Sequence, residues 1–523
     1  MLSTAFGAVI TVSGTITSNT TWTCNNTYLL SGFVYVKSGA TLTIEPGTII
    51  KGEKATKGTL IITRTGKIVA QGTSTNPIVF TSNEAIGDRA AGDWGGVIIL
   101  GNAPVNLYDT VAAVNGQGVI EGGVDNAAGD GKFGGTNAAD SSGVFSYVRI
   151  EYPGIAFVTN NEINGLTMGG VGSKTKIDHI QVSYSGDDSY EWFGGTVNCS
   201  HLIAYRGLDD DFDTDNGFSG NVQFVVGFRD PKVADAAGSS NGFESDNDSR
   251  GSDRQPYTSP KFSNVTLVGP LPTLLDTAST YYRRGLHLRR NTYCSVYNAA
   301  VLGWPIGMFI ESSAAQANAT SDSLDVKNIL VAGCKRLETL FDTTYILNPA
   351  NKDSIAINAS EAQLTDPFNL RNPNPLPLAG SRLTSGANFS ELSGISFFQT
   401  VSYRGAFGTT NWMAGWANFN SDSTTYVECP TSVEFVGNAG SINVFPNPFQ
   451  NDAQIEISLN NEAKVSIQIA DINGRIVADV ANEVLASGDK TYTVNSANLS
   501  PGVYFVNVLI GAEKRTVKLV LNK

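Results

Sequence analysis

The chain has 523 residues and 41% hydrophobic content, enough for more than one domain and for a large core. Only 16% of residues are charged and the formal net charge is −13, so no basic surface exists to neutralise phosphates, which excludes nucleic acid as a partner. No apolar run reaches about 18 residues, which excludes a transmembrane helix; 55 glycines among abundant Thr, Ser and Asn suit an extracellular all-β protein with many tight turns.

Residues 1–31 read as a lead-in. Met1 to Ile10 is weakly apolar, lacks a basic flank and is too short for a signal peptide, so an export signal is expected upstream. Residues 32–420 are short β-rich runs separated by Gly, Asn and Asp. Gly39 to Gly52 is followed by a similar run, Gly58 to Gly72, with Gly47 matching Gly66 and Gly52 matching Gly72, a period near 20. Farther on, His179 maps to His201, Asp187 to Asp209, Asp188 to Asp210, Glu191 to Asp213 and Gly195 to Gly217, each 22 residues later. Such periods without helical patterning predict a β-solenoid, because one coil cannot bury its Val, Ile and Leu until another lies on it. The expected fold is all-β: a right-handed parallel β-helix of about a dozen coils, its hand set by strand twist, followed by a small antiparallel β-sandwich.

The five cysteines, Cys24, Cys199, Cys294, Cys334 and Cys429, lack any zinc-site spacing. Cys294 and Cys334 are candidates to pair across neighbouring coils, and the odd total leaves at least one free thiol.

The densest chemistry is acidic. Asp187, Asp188 and Glu191 precede Asp209, Asp210, Asp211, Asp213 and Asp215 by one repeat, and a looser acidic turn follows at Glu244, Asp246, Asp248 and Asp253, where Asn216-Gly217-Phe218 recurs as Asn241-Gly242-Phe243. Stacked carboxylates repel, so either their pKa values rise or a cation sits among them, and calcium is the expected cofactor. Asp211 to Gly217 resembles the start of a DxDxDG calcium loop, but its Gly is one place late and Val222 stands where Glu is needed. The competing readings are turn residues that cap backbone N–H groups and an acid–base pair. Arg284, Arg289 and Arg290, near His287 and Tyr281-Tyr282, are the candidate catalytic residues if the chain is a calcium-dependent polysaccharide lyase; simple pairing with acids on the next coil is the alternative. His179 and His201 are expected to stack as an edge ladder. Tyr190, Trp192 and Phe212 border the acids and are candidate sugar-stacking rings. Gly405 to Phe419 is expected to form a short helix closing the last coil, Leu364 to Pro377 an external loop, and residues 421–440 a linker.

Residues 441–523 alternate in period 2 around three turn motifs: Phe445-Pro446-Asn447-Pro448-Phe449, Asp471-Ile472-Asn473-Gly474-Arg475 and Leu499-Ser500-Pro501-Gly502-Val503-Tyr504. Finished by Lys514 to Lys523, the tail resembles the C-terminal sorting domain of type IX secretion substrates. That resemblance implies engagement of the outer-membrane type IX machinery, with Pro446, Asn447, Pro448, Asn473, Gly474, Arg475, Pro501, Gly502 and Tyr504 as the motif residues. It further implies export to the cell surface, often with removal of the domain and anchoring to lipopolysaccharide. The body, through Gly39 to Gly52, Asn76 to Ser82, Asp93 to Ile98, Glu191 to Thr196 and Gly405 to Trp416, resembles secreted Bacteroidetes-type β-helix proteins without assigned activity. It is similar to pectate-lyase-like enzymes at the level of fold, which does not imply chemistry. Three functions are carried forward: a non-enzymatic glycan- or surface-binding, adhesin-like module; a calcium-dependent lyase or glycosidase; and a passive stalk or filament subunit.

Overall fold

The structure is a computed structural model that describes residues 7–522 apart from 110–113, 159–160, 430–438, 460–461, 473 and 512. It divides into two compact units, Phe6–Cys429 and Pro430–Lys523.

The first unit is a parallel β-helix whose coils form one 25-stranded sheet. Three strand columns make three faces. The first runs from Thr20–Trp22 through Thr41–Ile44 and Lys67–Gln71 to the leading halves of Gly143–Glu151, Lys176–Ser183, Asn198–Tyr205, Asn221–Phe228 and Lys261–Val268. The trailing halves of those long strands form the second face. The third runs through Gly96–Leu100, Leu166–Val171, Tyr190–Gly195, Phe212–Asp215, Phe243–Ser245, Arg284–Leu288 and Ile306–Ile310.

A single left-handed residue turns each long strand from the first face to the second. Tyr147, His179, His201, Phe224, Asn264, Asn298 and Asn328 all have φ between 49° and 63°. Few non-glycine residues tolerate that region, and Asn does so most readily. Stacking compensates the rings: Tyr147 on His179 at 4.3 Å, His179 on His201 at 4.1 Å and His201 on Phe224 at 5.1 Å. The histidine ladder is thus a corner device, with both Nδ1 atoms 2.9 Å from Asp178.

Inside, register stacks like on like. Tyr190, Phe212, Phe243, Leu286 and Met308 occupy one inward row and belong to one continuous buried cluster. Every added coil buries apolar surface worth roughly 25 cal/mol per Å², the only way a chain of such short strands becomes stable.

The coil lengths correct two sequence alignments. Thr41 pairs with Lys67, 26 residues on, not 20. Phe243-Glu244 pairs with Phe212-Asp213, so Phe243 does not follow Phe218, because a 31-residue coil carries an extra loop there.

A strap spanning residues 380–429 runs back along the solenoid and is held largely by side-chain amides. Gln181 donates to Asn418 O and accepts from Asn418 N at 2.7 and 2.8 Å. Gln223 grips the backbone of Gln399 in the same two-bond manner, and Asn298 that of Asn388. Each amide mimics the next strand and satisfies strap backbone that would otherwise lie unpaired against the solenoid. The strap ends in a disulfide between Cys24 and Cys429, 405 residues apart with Cα atoms 5.2 Å apart. Several expectations are corrected here. Cys294 and Cys334 are free, as is Cys199. Gly405 to Phe419 forms turns and bends along the flank, not an end-capping helix. Residues 421–429, expected in a linker, lie against the first coils, where Tyr426 Oη donates to Glu151 Oε1. Leu364–Asp366 and Asn374–Pro377 pair as a two-stranded hairpin.

The second unit stacks a three-stranded and a four-stranded antiparallel sheet around their own apolar core. Asn447 donates to Lys518 O and accepts from Val520 N, stitching the first motif to the last strand. Gly474, at φ +79°, closes a turn in which Arg475 Nε donates to Asp471 Oδ2 at 3.1 Å. Tyr504 Oη donates to Ser500 O beside Pro501 and Gly502. Asn473 lies outside the described residues.

Candidate acidic site at the corner of the third face

The acids sit where the chain turns onto the third face. Asp187 and Asp188 precede the strand Tyr190–Gly195, and Asp209 to Asp211 precede Phe212–Asp215, one coil on. Strand alternation then sends Glu191 and Asp213 outward in register, followed by Glu244 and His287. The carboxylate oxygens of Asp187, Asp188 and Asp209 lie within 4.8 Å of one another, and so do those of Asp188, Glu191 and Asp213. Asp188 belongs to both triads.

The surroundings are dry. Asp188 and Glu191 are each 7% exposed. Asn164 reaches over them, donating to Glu191 Oε2 and, at 2.7 Å, to Glu121 Oε1. One oxygen each of Asp209 and Asp213 is buried without a hydrogen-bond partner. Burial, then repulsion from neighbouring acids, pushes Asp187, Asp188, Glu191, Asp209 and Asp213 well above the ordinary carboxylate range. Glu121 is pushed up mainly by burial, and its hydrogen bond with Glu191 raises Glu191 further. Sequence reasoning missed Glu121 and Asn164, since both lie in or beside the insertion between the strands Gly96–Leu100 and Leu166–Val171 and share no repeat spacing with the ladder.

Several of the candidate ligands, Asp188 included, also have other work. Asp188 accepts the backbone N–H of Asp210, and Asp210 that of Asn241; Asn241 accepts that of Arg284. This is a rung-by-rung cap of the coil corners. Asp211 turns inward to a fully buried ion pair with Arg229 at 3.1 Å, and burial pushes it up to about 7. Asp215 accepts from Asn216 N and is raised by burial and Asp246. Asp211 to Gly217 does not form a calcium loop, because an extended strand, Phe212–Asp215, sends its acids outward and cannot wrap an ion.

The candidate catalytic arginines are engaged in other contacts. Arg289 pairs with Glu244 and with Asp246 at 2.8 Å, and Arg290 with Asp246 at 2.8 Å. Arg284 lies over the Phe309 ring at 5.0 Å, and burial lowers its pKa. His287 bridges Glu244 and Glu311 at 3.3 and 2.6 Å. Tyr190, Trp192 and Phe212, expected to stack on sugars, are fully buried core rings; Tyr190 stacks on Phe212 at 5.5 Å and Trp192 on Phe218 at 5.3 Å. The period-2 pattern carried two possible faces, and packing chose the inner one.

Comparison with known proteins agrees with the architecture. Residues 14–370 match the family described as pectate-lyase like beta helix domain, and residues 443–522 match the secretion system C-terminal sorting domain. No curated protein is significantly similar. Among solved structures, the Dettilon tailspike protein is 9% identical over 63% of this chain and 61% of that chain, with a TM-score of 0.20. The enzymatically active domain of bacteriophage CBA120 tailspike protein 4 is 9% identical over 94% and 63%, with a TM-score of 0.23. The chain thus spans less than two thirds of either, and superpositions this weak carry no argument. No helix among the described residues is long and apolar enough to cross a membrane. The chain belongs to the pectate-lyase-like β-helix family and ends in a sorting domain that sends it through type IX secretion to the cell surface or the extracellular space.

Proposed function

We propose that the protein is a non-enzymatic glycan- or surface-binding module whose acidic corner is rigidified by calcium. The observation that carries this reading is the state of the acidic site. Five carboxylates converge under a covering insertion, while Arg289 and Arg290 are tied to Glu244 and Asp246. A lyase needs a base beside an open groove; an arginine between two carboxylates holds its proton, and residues 7% exposed do not meet a polymer.

The donor set fits calcium. It is all oxygen, and the unpartnered Asp209 Oδ1 and Asp213 Oδ1 are the groups a bound cation would satisfy. One dication balances only two of the five carboxylates, and the hydrogen bond between Glu191 and Glu121 itself requires a proton on one of that pair.

The test is metal analysis of the chelator-treated and calcium-loaded protein, with melting curves for Asp209→Asn and Asp213→Asn. The reading expects stoichiometric calcium and a melting temperature that rises with calcium in the wild type and much less in the variants. Identical curves with and without chelator would sink the calcium reading, and depolymerisation of any uronate polymer would sink the non-enzymatic one.

A further inference from the structure

Away from the acids, the strap and the ring ladder enclose a second concave surface. One cavity of about 210 Å³ is walled by His201, Phe224, Tyr403 and Trp412, with Gln399 and Thr409 at its rim. A second, of about 320 Å³, adjoins it across Tyr403, Gly408 and Thr409. Together they reach the lower part of the range for ligand pockets, roughly 300–1,000 Å³.

Three features bear on what would fit. The rings meet at different inclinations: Phe224 lies parallel to His201 at 5.1 Å, and Trp412 stands edge-on to it at 5.1 Å and 71°. Phe224 is 4% exposed and His201 is sandwiched between His179 and Phe224, so Tyr403 and Trp412 are the rings that can meet the apolar C–H faces of a ligand. Among the described residues lining either cavity there is no Lys, Arg, Asp or Glu. His201 is oriented by its Nδ1 contact with Asp178 at 2.9 Å, so Nε2 is the nitrogen on the other side of the ring. Burial lowers the pKa of His201, against the opposing contact with Asp178.

We propose that this groove binds a short segment of a neutral glycan, with the half-buried Tyr403 and Trp412 against its C–H faces and His201, Gln399 and Thr409 on its hydroxyls. The inference rests on the glycan-binding reading above and deepens it by naming a site and a charge class. A uronate or sulfated polymer would bring charge to walls that carry no cation to meet it. The strap supplies most of the groove, so the disulfide-anchored segment is part of the binding surface as well as a brace.

The experiment uses the full chain on immobilised neutral oligosaccharides (gluco-, xylo-, manno- and galacto-series) beside polygalacturonate and alginate. The variants are Trp412→Ala and Thr409→Arg. Because Trp412 Nε1 donates to Ala406 O, the first variant risks disturbing the strap; Thr409 is exposed, so the second obstructs the groove from its rim. The expected result is binding to at least one neutral series, weakened about tenfold or more by Thr409→Arg at an unchanged melting temperature. Neutral-glycan binding that survives Thr409→Arg within about twofold would overturn the site and leave the glycan-binding reading standing. Binding only to the uronate polymers would overturn the charge class. Binding to no glycan would overturn this site and the glycan-binding reading together.

Discussion

The Cys24–Cys429 disulfide closes the longest loop of the first unit, and its removal has a calculable consequence. In the chain-entropy relation, a crosslink across 405 residues restricts the unfolded chain by roughly 6 kcal/mol. Measured bridges commonly contribute less, about 2–4 kcal/mol. The unfolding entropy of a domain is about 2.1 cal/mol/K per residue, or about 0.9 kcal/mol/K over Phe6–Cys429. The double substitution Cys24→Ser/Cys429→Ser is therefore expected to lower the melting temperature by ~2–5 °C. The loss should be felt first at the end of the strap. Beyond Asn418, the strap is held by Tyr152 with Ser421, by Arg89 on Ser421 O and Thr424 O, and by Tyr426 on Glu151. The assay is calorimetry together with amide hydrogen exchange, in which residues 421–429 should exchange faster while the amide-held Asn388 and Gln399 keep their protection. Unchanged melting and unchanged exchange would refute the clasp. A fall beyond about 15 °C, with protection lost along the whole strap, would refute the claim that the amide pairs hold it independently.

Other outcomes follow from the same structure. Arg229→Met leaves Asp211 alone in the core and should cost about 3–5 kcal/mol, with most of the loss recovered by adding Asp211→Leu; urea denaturation of both variants checks this. Gln181→Ala removes both bonds to Asn418, leaves a part-buried N–H and C=O unpaired, and should cost about 1–3 kcal/mol with faster exchange at Asn418. Asp210 and Asp211 are pushed up to about 7, and the acids of the two triads also shift upward. The unfolded carboxyls, near 4, bind fewer protons than the folded ones over that interval. Metal-free stability should therefore fall as pH rises from about 4 to 7, while stabilisation by calcium, which needs ionised ligands, should grow over the same range. Melting curves at several pH values with and without chelator measure both; a metal-free stability that rises with pH would contradict the burial of these acids. Deleting residues 443–522 should abolish surface display, read by fractionation and surface labelling, while the first unit still folds because its core is its own.

Much of the architecture was legible in the sequence because its causes are local and repetitive. The 22-residue spacing of Glu191 and Asp213, the alternation of Tyr190-Glu191-Trp192, and the turn motifs around Asn447, Gly474 and Gly502 each reflect rules that act within one coil or one hairpin. In-register parallel stacking converts such a rule directly into neighbours in space, which is why Glu191 does lie beside Asp213. The convergence of Asp187, Asp188 and Asp209 follows from the same spacing.

What only the tertiary structure decided depends on contacts without a repeat. Whether Tyr190, Trp192 and Phe212 faced solvent was a choice between two faces that a period of two leaves open, and burial of large rings resolved it inward. Asp211 reads like its neighbours Asp210 and Asp213, yet the turn onto the third face directs it to Arg229 in the core. The strap, the Cys24–Cys429 bond and the reach of Glu121 and Asn164 over the acids join residues tens to hundreds of positions apart. Sequence separation of that size leaves no periodic trace, because loop-closure entropy grows only slowly with length and a distant segment docks nearly as readily as a near one.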